Sequence, residues 1–86
     1  MTQEEQMLHL GNASEDTLKS ESFNTVVNHL IESTFNTFVN TDPSETEKRT
    51  VAYYQYRALR DVIDTMQQNV SVRDEINERN TRPEEE

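Results

Sequence analysis

The sequence predicts an all-α fold: an antiparallel helical hairpin with a long second helix, expected to assemble into an oligomeric helical bundle. Three observations predict it. Apolar residues recur at intervals of three and four in both halves of the chain. An Asp-Pro pair, typical of a helix start, stands between those halves. The chain also holds too little apolar material for two helices to enclose a core unaided.

The low content of hydrophobic residues indicates that the chain needs a partner to be stable. Only 31% of the 86 residues are hydrophobic, against about 45–50% in ordinary globular domains. Small domains with so little core rely on disulfides, a metal or oligomerisation. The sequence contains no cysteine, which excludes disulfides and thiolate metal sites. Oligomerisation, or contact with a larger protein, is therefore the expected support.

The first half predicts one helix. Residues 1–15 are polar, contain the only glycine and read as a flexible acidic arm. From Phe23 onward, apolar residues form one stripe at helical spacing, which predicts a helix over about 16–40. The members of that stripe are Phe23, Val26, Val27, Leu30, Ile31, Phe35, Phe38 and Val39.

The segment 40–43 predicts a stop and an immediate restart. Asn40 is a favourable helix end, Asp42 a favourable N-cap and Pro43 a favourable first helical residue. A second helix is expected over about 43–80, and residues 81–86 form an acidic tail. A connection this short makes the two helices antiparallel. The second helix carries a heptad seam at Ala52, Tyr56, Leu59, Ile63, Met66 and Val70.

Helix lengths divide the apolar residues into a core and an outer surface. At 1.5 Å per residue, a helix over 16–40 reaches only to about residue 66–70 of its longer neighbour. Residues beyond that point should lack a partner in the same chain. The predicted hairpin core is Phe23, Leu30, Phe38, Leu59, Ile63 and Met66. The predicted interaction surface is Tyr53, Tyr54, Arg57, Val72 and Ile76, because Tyr and Arg tend to anchor interfaces.

The charge distribution bears on the partner class. Residues 1–47 hold nine acids and one base, whereas residues 48–82 hold seven bases and five acids. Nucleic acid is not the expected ligand, since phosphate binding needs a clustered basic face. One half of the chain could instead neutralise the other half in an assembly. A small acidic inhibitor that mimics DNA remains the alternative.

No chemistry is predicted. The chain has no phosphate-binding glycine loop, no nucleophile motif and no metal-spaced histidine cluster. Asp61 and Asp64 follow Arg57 and Arg60 by four residues, which favours surface ion pairs over a cation site. We therefore expect no enzyme activity, no cofactor and no metal. No apolar run approaches the length of a membrane span, and the acidic start of the chain does not resemble a signal peptide.

The stretch "YYQYRALRDVIDTMQQNVSVRDEIN", preceded by "FNTVVNHLIESTFNTFVNTDPSETEKR", resembles small uncharacterised proteins encoded by tailed bacteriophages. In those proteins a helix with a Phe and Leu stripe is followed by a short acidic linker and a second, tyrosine-bearing helix. The resemblance covers about residues 20–78 and implies a virion-associated or assembly role, in the virion or the host cytoplasm. The function expected is thus a non-catalytic protein-interaction module. Its apolar helix faces would pack against copies of itself or a larger capsid, portal or tail protein. The alternative is an acidic phage inhibitor of a host nucleic-acid enzyme.

Overall fold

The structure, a computed structural model, describes residues 1–82 and confirms the all-α class. The predicted acidic tail, residues 81–86, lies outside the described residues except for Thr81 and Arg82. The structure contains α1 (Gln3–Lys19), α2 (Glu21–Asn40) and α3 (Thr46–Thr81), with no strand in the described part. α1 and α2 lie one after the other along the single long helix α3, and both run antiparallel to it. The molecule is a rod of 66 × 25 × 24 Å. Its radius of gyration is 18.3 Å, whereas a compact chain of this length would have about 12 Å.

The segment predicted as a flexible arm forms α1 instead. A capping box starts this helix at Thr2, whose hydroxyl accepts from the Glu5 N–H (3.1 Å) while the Glu5 carboxylate accepts from the Thr2 N–H (2.9 Å). The same bonds lower the pKa of Glu5. The prediction missed α1 because its own apolar stripe is short. α1 is stabilised mainly by its contact with α3, and neighbouring residues in the sequence do not reveal that contact.

The helix predicted over 16–40 is divided at Ser20. This residue has an extended backbone (φ −71°, ψ 121°) and serves both as the C-cap of α1 and as the N-cap of α2. Its hydroxyl accepts from the Phe23 N–H at 3.2 Å. The Asn24 amide donates back across the break to the Leu18 carbonyl at 2.6 Å and to the Ser20 carbonyl at 2.9 Å. Because the break is capped on both sides, α1 and α2 are separate helices that each contact α3.

The predicted stop at Asn40 is observed, but the restart lies later than predicted. Asp42 does not cap α3; its carboxylate accepts from the Ser44 N–H and hydroxyl, both at 3.1 Å, which lowers the pKa of Asp42. The Glu45 N–H donates to the Asp42 carbonyl at 2.8 Å, and α3 begins at Thr46. Asp42 and Pro43 therefore belong to the connection between α2 and α3 and not to the first helical turn of α3.

The seam predicted along α3 faces α2. Ala52 is buried (2% exposed), and the remaining seam residues Tyr56, Leu59, Ile63, Met66 and Val70 are half-buried. Toward the C-terminus of α3 the buried positions are Arg73 and Ile76, which follow Val70 at steps of three and contact α1 instead of α2. None of the large side chains of residues 1–82 is fully buried. The core is thus a narrow line between helices, not an enclosed interior.

Candidate interaction surface

Most of the large apolar side chains remain in contact with solvent. Only Ala52 and Ile76 are buried hydrophobic residues in the described part. The accessible surface is 6726 Å², about 1400 Å² more than the roughly 5300 Å² typical of a compact monomer of 10.1 kDa. The exposed large apolar residues are Met1, Met7, Leu10, Val26, Leu30, Phe35, Val39, Val51, Tyr53, Tyr54 and Val62.

One side of the α2–α3 pair carries an aromatic cluster, here called the aromatic edge: Phe35, Phe38, Tyr53, Tyr54, Tyr56 and Arg49. Its rings pair across the two helices, with centroids 5.7 Å apart for Phe35 and Tyr56 and 5.9 Å for Phe38 and Tyr53. Tyr54 extends the cluster along α3, 5.7 Å from Tyr53. The pairs form because Phe35 and Phe38, like Tyr53 and Tyr56, are three residues apart and share one side of a helix.

The aromatic edge is open to solvent. Phe35 is 48% exposed, Tyr53 44% and Tyr54 66%. The Arg49 guanidinium lies 5.8 Å from the centre of the Phe38 ring, a cation–π contact. Among residues 1–82, Arg49 is the one arginine or lysine without a carboxylate within 4.0 Å. Exposed rings and an arginine make this edge resemble the centre of a protein interface.

The opposite side of the α2–α3 pair is aliphatic, and the residues Val26, Leu30, Val51 and Val62 are here called the aliphatic edge. Val26 precedes Phe35 by nine residues, and Val62 follows Tyr53 by nine. Nine residues are two and a half helical turns, so each valine lies opposite the aromatic residue of its own helix. All four aliphatic residues are exposed. The α2–α3 pair therefore presents apolar side chains on two opposite edges.

α1 is fixed to α3 by a polar cluster, here called the arginine clamp: Asn12, Ser14, Glu15, Asn69, Arg73 and Asp74. The Arg73 guanidinium donates to both carboxylate oxygens of Glu15 (2.9 and 3.3 Å), to Asn12 (2.9 Å) and to Asp74 (2.7 Å). The Asn69 amide donates to the buried Ser14 hydroxyl at 3.1 Å. The bond from Arg73 lowers the pKa of the Glu15 carboxyl below its ordinary value. The bonds to Glu15 and Asp74 raise the pKa of Arg73.

Gly11 allows the close approach of α1 and α3 at the arginine clamp. A Cβ atom at Gly11 would lie 2.8 Å from the Asn69 carbonyl oxygen and closer still to the Arg73 Cβ. The sequence places this glycine in the predicted flexible acidic arm, whereas the structure places it inside α1. Small residues three apart, Gly11 and Ser14, were the signal for a close helix contact that the sequence interpretation missed. The clamp is held by groups within the chain, so it serves the fold.

The structure separates the predicted interaction residues into two groups. Tyr53, Tyr54 and Arg57 are exposed, and Arg57 pairs with Asp61 at 3.3 Å. Val72 and Ile76 were predicted to lack a partner, which is wrong: α1 lies along this part of α3, leaving Val72 half-buried and Ile76 5% exposed. The prediction failed because it treated residues 1–15 as an arm.

The predicted hairpin core is only partly sheltered. Five of its members, Phe23, Phe38, Leu59, Ile63 and Met66, are half-buried between α2 and α3. Leu30 is 42% exposed and belongs to the aliphatic edge. Phe35 and Arg49 are absent from the predicted surface, although Phe35 packs on Tyr56 and Arg49 lies over the Phe38 ring.

Comparison of the chain with protein-family models, with curated proteins and with solved structures finds no match. No described helix is both long and apolar enough to cross a membrane. Residues 1–82 also contain no group of three or more His, Cys, Asp or Glu residues placed to hold a metal ion. The two apolar edges are thus the features from which a function can be argued.

Proposed function

We propose that this chain is a non-catalytic protein-interaction module that binds other polypeptides through the open edges of its α2–α3 pair. One observation carries the proposal: large apolar side chains stay exposed on two opposite edges while almost none is buried. Burying one such side chain fully is worth about 1.5–3 kcal/mol. Monomeric proteins rarely leave large contiguous apolar patches in water, and those they do leave are often binding sites.

A virion structural or assembly role is the setting that we propose. The rod shape and the resemblance to small tailed-phage proteins support it, and a capsid, portal or tail protein, or further copies of the chain, would supply the facing surface. The alternative, an acidic mimic of nucleic acid, has less support. Its acids would have to be free, but Glu4 and Glu15 are paired with Arg79 and Arg73 of α3.

The proposal can be tested by removing one apolar edge at a time. The full chain, tagged and produced in its natural setting, would be purified gently and its bound polypeptides or copies identified by native mass spectrometry. We expect the unaltered chain to associate, and we expect an edge variant to bind its partner at least tenfold more weakly. Circular dichroism should show that the edge variant keeps the helix content of the unaltered chain. The edge variants are the triple serine substitutions of Val26, Leu30 and Val62 and of Phe35, Tyr53 and Tyr54.

A matched control replaces three exposed polar residues, Asn36, Gln55 and Gln68, by serine. This control should retain the association of the unaltered chain. A chain that stays alone, or edge variants that associate as well as the control does, would contradict the proposal. For the virion setting, the chain should also be present in purified particles at a fixed copy number.

A further inference from the structure

We infer that the occupant of the aromatic edge is a second copy of this chain, related by a two-fold axis, with Arg49 of each copy paired with Glu32 of the other. The inference rests on the proposed interaction function and names the partner for one of its two edges. It is drawn from the alignment of the rings, the placement of two unpaired charges and the size of the exposed surface.

The ring pairs fix how residues of α2 and α3 are aligned. Phe38 lies beside Tyr53, and Phe35 lies beside Tyr56. Residue numbers therefore rise along α2 in the direction in which they fall along α3. Glu32, Phe35 and Val39 are three and four residues apart and share one side of α2. Arg49 and Tyr53 share one side of α3 for the same reason. Both sides belong to the edge on which the rings meet.

A two-fold axis between the two ring pairs makes this edge complementary to itself. By the antiparallel alignment, the axis brings Glu32 of one copy level with Arg49 and Thr50 of the other. It also brings Phe35 of one copy level with Tyr53 of the other, so that rings meet at the centre and charges at the rim. In such an isologous interface every contact occurs twice, so the dimer contains two Arg49–Glu32 pairs.

The charges favour this arrangement. Arg49 has no carboxylate within 4.0 Å among residues 1–82, and Glu32 has no cationic nitrogen within that distance there. α2 contains no lysine or arginine, and its one histidine, His29, lies near Glu32 but not within 4.0 Å of its carboxylate. A basic group on α3 and an acidic group on α2, both beside exposed rings, complement each other when two copies face one another.

The surface area agrees with a dimer. A stable interface of standard size covers about 800 Å² on each partner. The chain as a whole exposes about 1400 Å² more than a compact monomer of its mass, so covering one standard interface would remove about half of that excess. The enrichment of Tyr, Phe and Arg on this edge is that of interfaces rather than of ordinary surface.

A reciprocal charge exchange tests the inference. Sedimentation velocity would be measured on the purified full chain over a micromolar to millimolar series for the unaltered protein, Glu32→Arg, Arg49→Glu and the double variant. Each single variant places like charges together twice and should weaken the dimer on the order of tenfold. The double variant restores both pairs with the signs exchanged and should return to within about threefold of the unaltered protein.

Two further variants test whether the effect is specific to the aromatic edge. The exchange of Glu78 and Arg82, an exposed pair near the far end of α3, should leave the dimer unchanged. Phe35→Ala removes a central ring and should weaken the dimer tenfold or more, with helix content checked by circular dichroism.

A chain that stays monomeric throughout, or a dimer whose double variant is not restored, would overturn the inference. So would a dimer that responds to the aliphatic edge and not to residues 32, 35 and 49. If the pure chain is monomeric but binds another polypeptide through the same edges, the interaction function stands and only the second copy is refuted.

Discussion

Replacing Gly11 by alanine tests the contact between α1 and α3 directly. In an exposed helix interior this change stabilises by about 1 kcal/mol, because glycine pays more backbone entropy than alanine does. At Gly11 the added Cβ would meet the Asn69 carbonyl oxygen at 2.8 Å and the Arg73 side chain more closely still. The Asn69 oxygen is main chain and cannot rotate away, so α1 must move outward.

The two effects oppose each other, and overpacking is expected to prevail. Inserting a methyl group into a tight contact costs about 1–3 kcal/mol. Moving α1 outward also lengthens the bonds of Arg73 to Asn12 and Glu15, both now 2.9 Å. Set against a gain of about 1 kcal/mol, the net loss is expected to be about 1 kcal/mol. For a domain of this size that corresponds to a fall in Tm of about 4–8 °C.

Thermal and denaturant unfolding followed by circular dichroism would measure this change. The control is His9→Ala, an exposed position in the same helix, which should be neutral or stabilise by a few tenths of a kcal/mol. An increase in Tm for Gly11→Ala would contradict this prediction, since it would show that α1 does not approach α3 closely at this position.

Three further predictions concern the fold. The pKa of Glu15 is lowered by Arg73, so the Glu15–Arg73 bond should stabilise the fold above the ordinary pKa of 4.5. That stabilisation should be lost as the pH falls through the lowered pKa of the folded state. Glu15→Gln should therefore be less stable than the unaltered chain at neutral pH, and unfolding curves measured in acid should show the difference disappearing. Ser20→Ala should cost about 1 kcal/mol by removing the N-cap of α2, whereas Ser20→Asp should retain most of it, and an unchanged Tm would contradict the capping role. Ile76→Ala should cost about 2–4 kcal/mol in urea unfolding because Ile76 is buried against α1, while Val62→Ala, exposed on α3, should cost under about 1 kcal/mol; equal losses would disagree with α1 covering this part of α3.

The sequence interpretation succeeded where the pattern was local. The stripe from Phe23 to Val39 and the seam from Ala52 to Val70 are long enough for helical periodicity to be unambiguous, and both lie on helices that face each other. The stop at Asn40 was also recognisable, because helix-terminating residue types cluster there. The restart was placed three residues early, since the Asp42 side chain bonds to Ser44 within the turn instead of capping α3.

The sequence interpretation failed where stability comes from distant partners. α1 has two buried residues, Gly11 and Ser14, neither of which is a large apolar side chain. A glycine inside a helix usually signals a break, and only the position of Arg73 explains why it is needed here. Because α1 was missed, Val72 and Ile76 were assigned to an open surface.

From the sequence alone one can predict a helical chain, the position of its two long apolar stripes, and more apolar surface than two helices can cover. These follow from residue spacing and composition, which act over one or two helical turns. The packing of the helices, by contrast, reveals the helix over residues 3–19, the apolar residues that α1 covers, and the exposed aromatic residues on one edge beside Arg49 and Glu32. These depend on residues about 15 to 75 positions apart, whose contacts arise from how whole helices cross and cannot be deduced from the residues near either one.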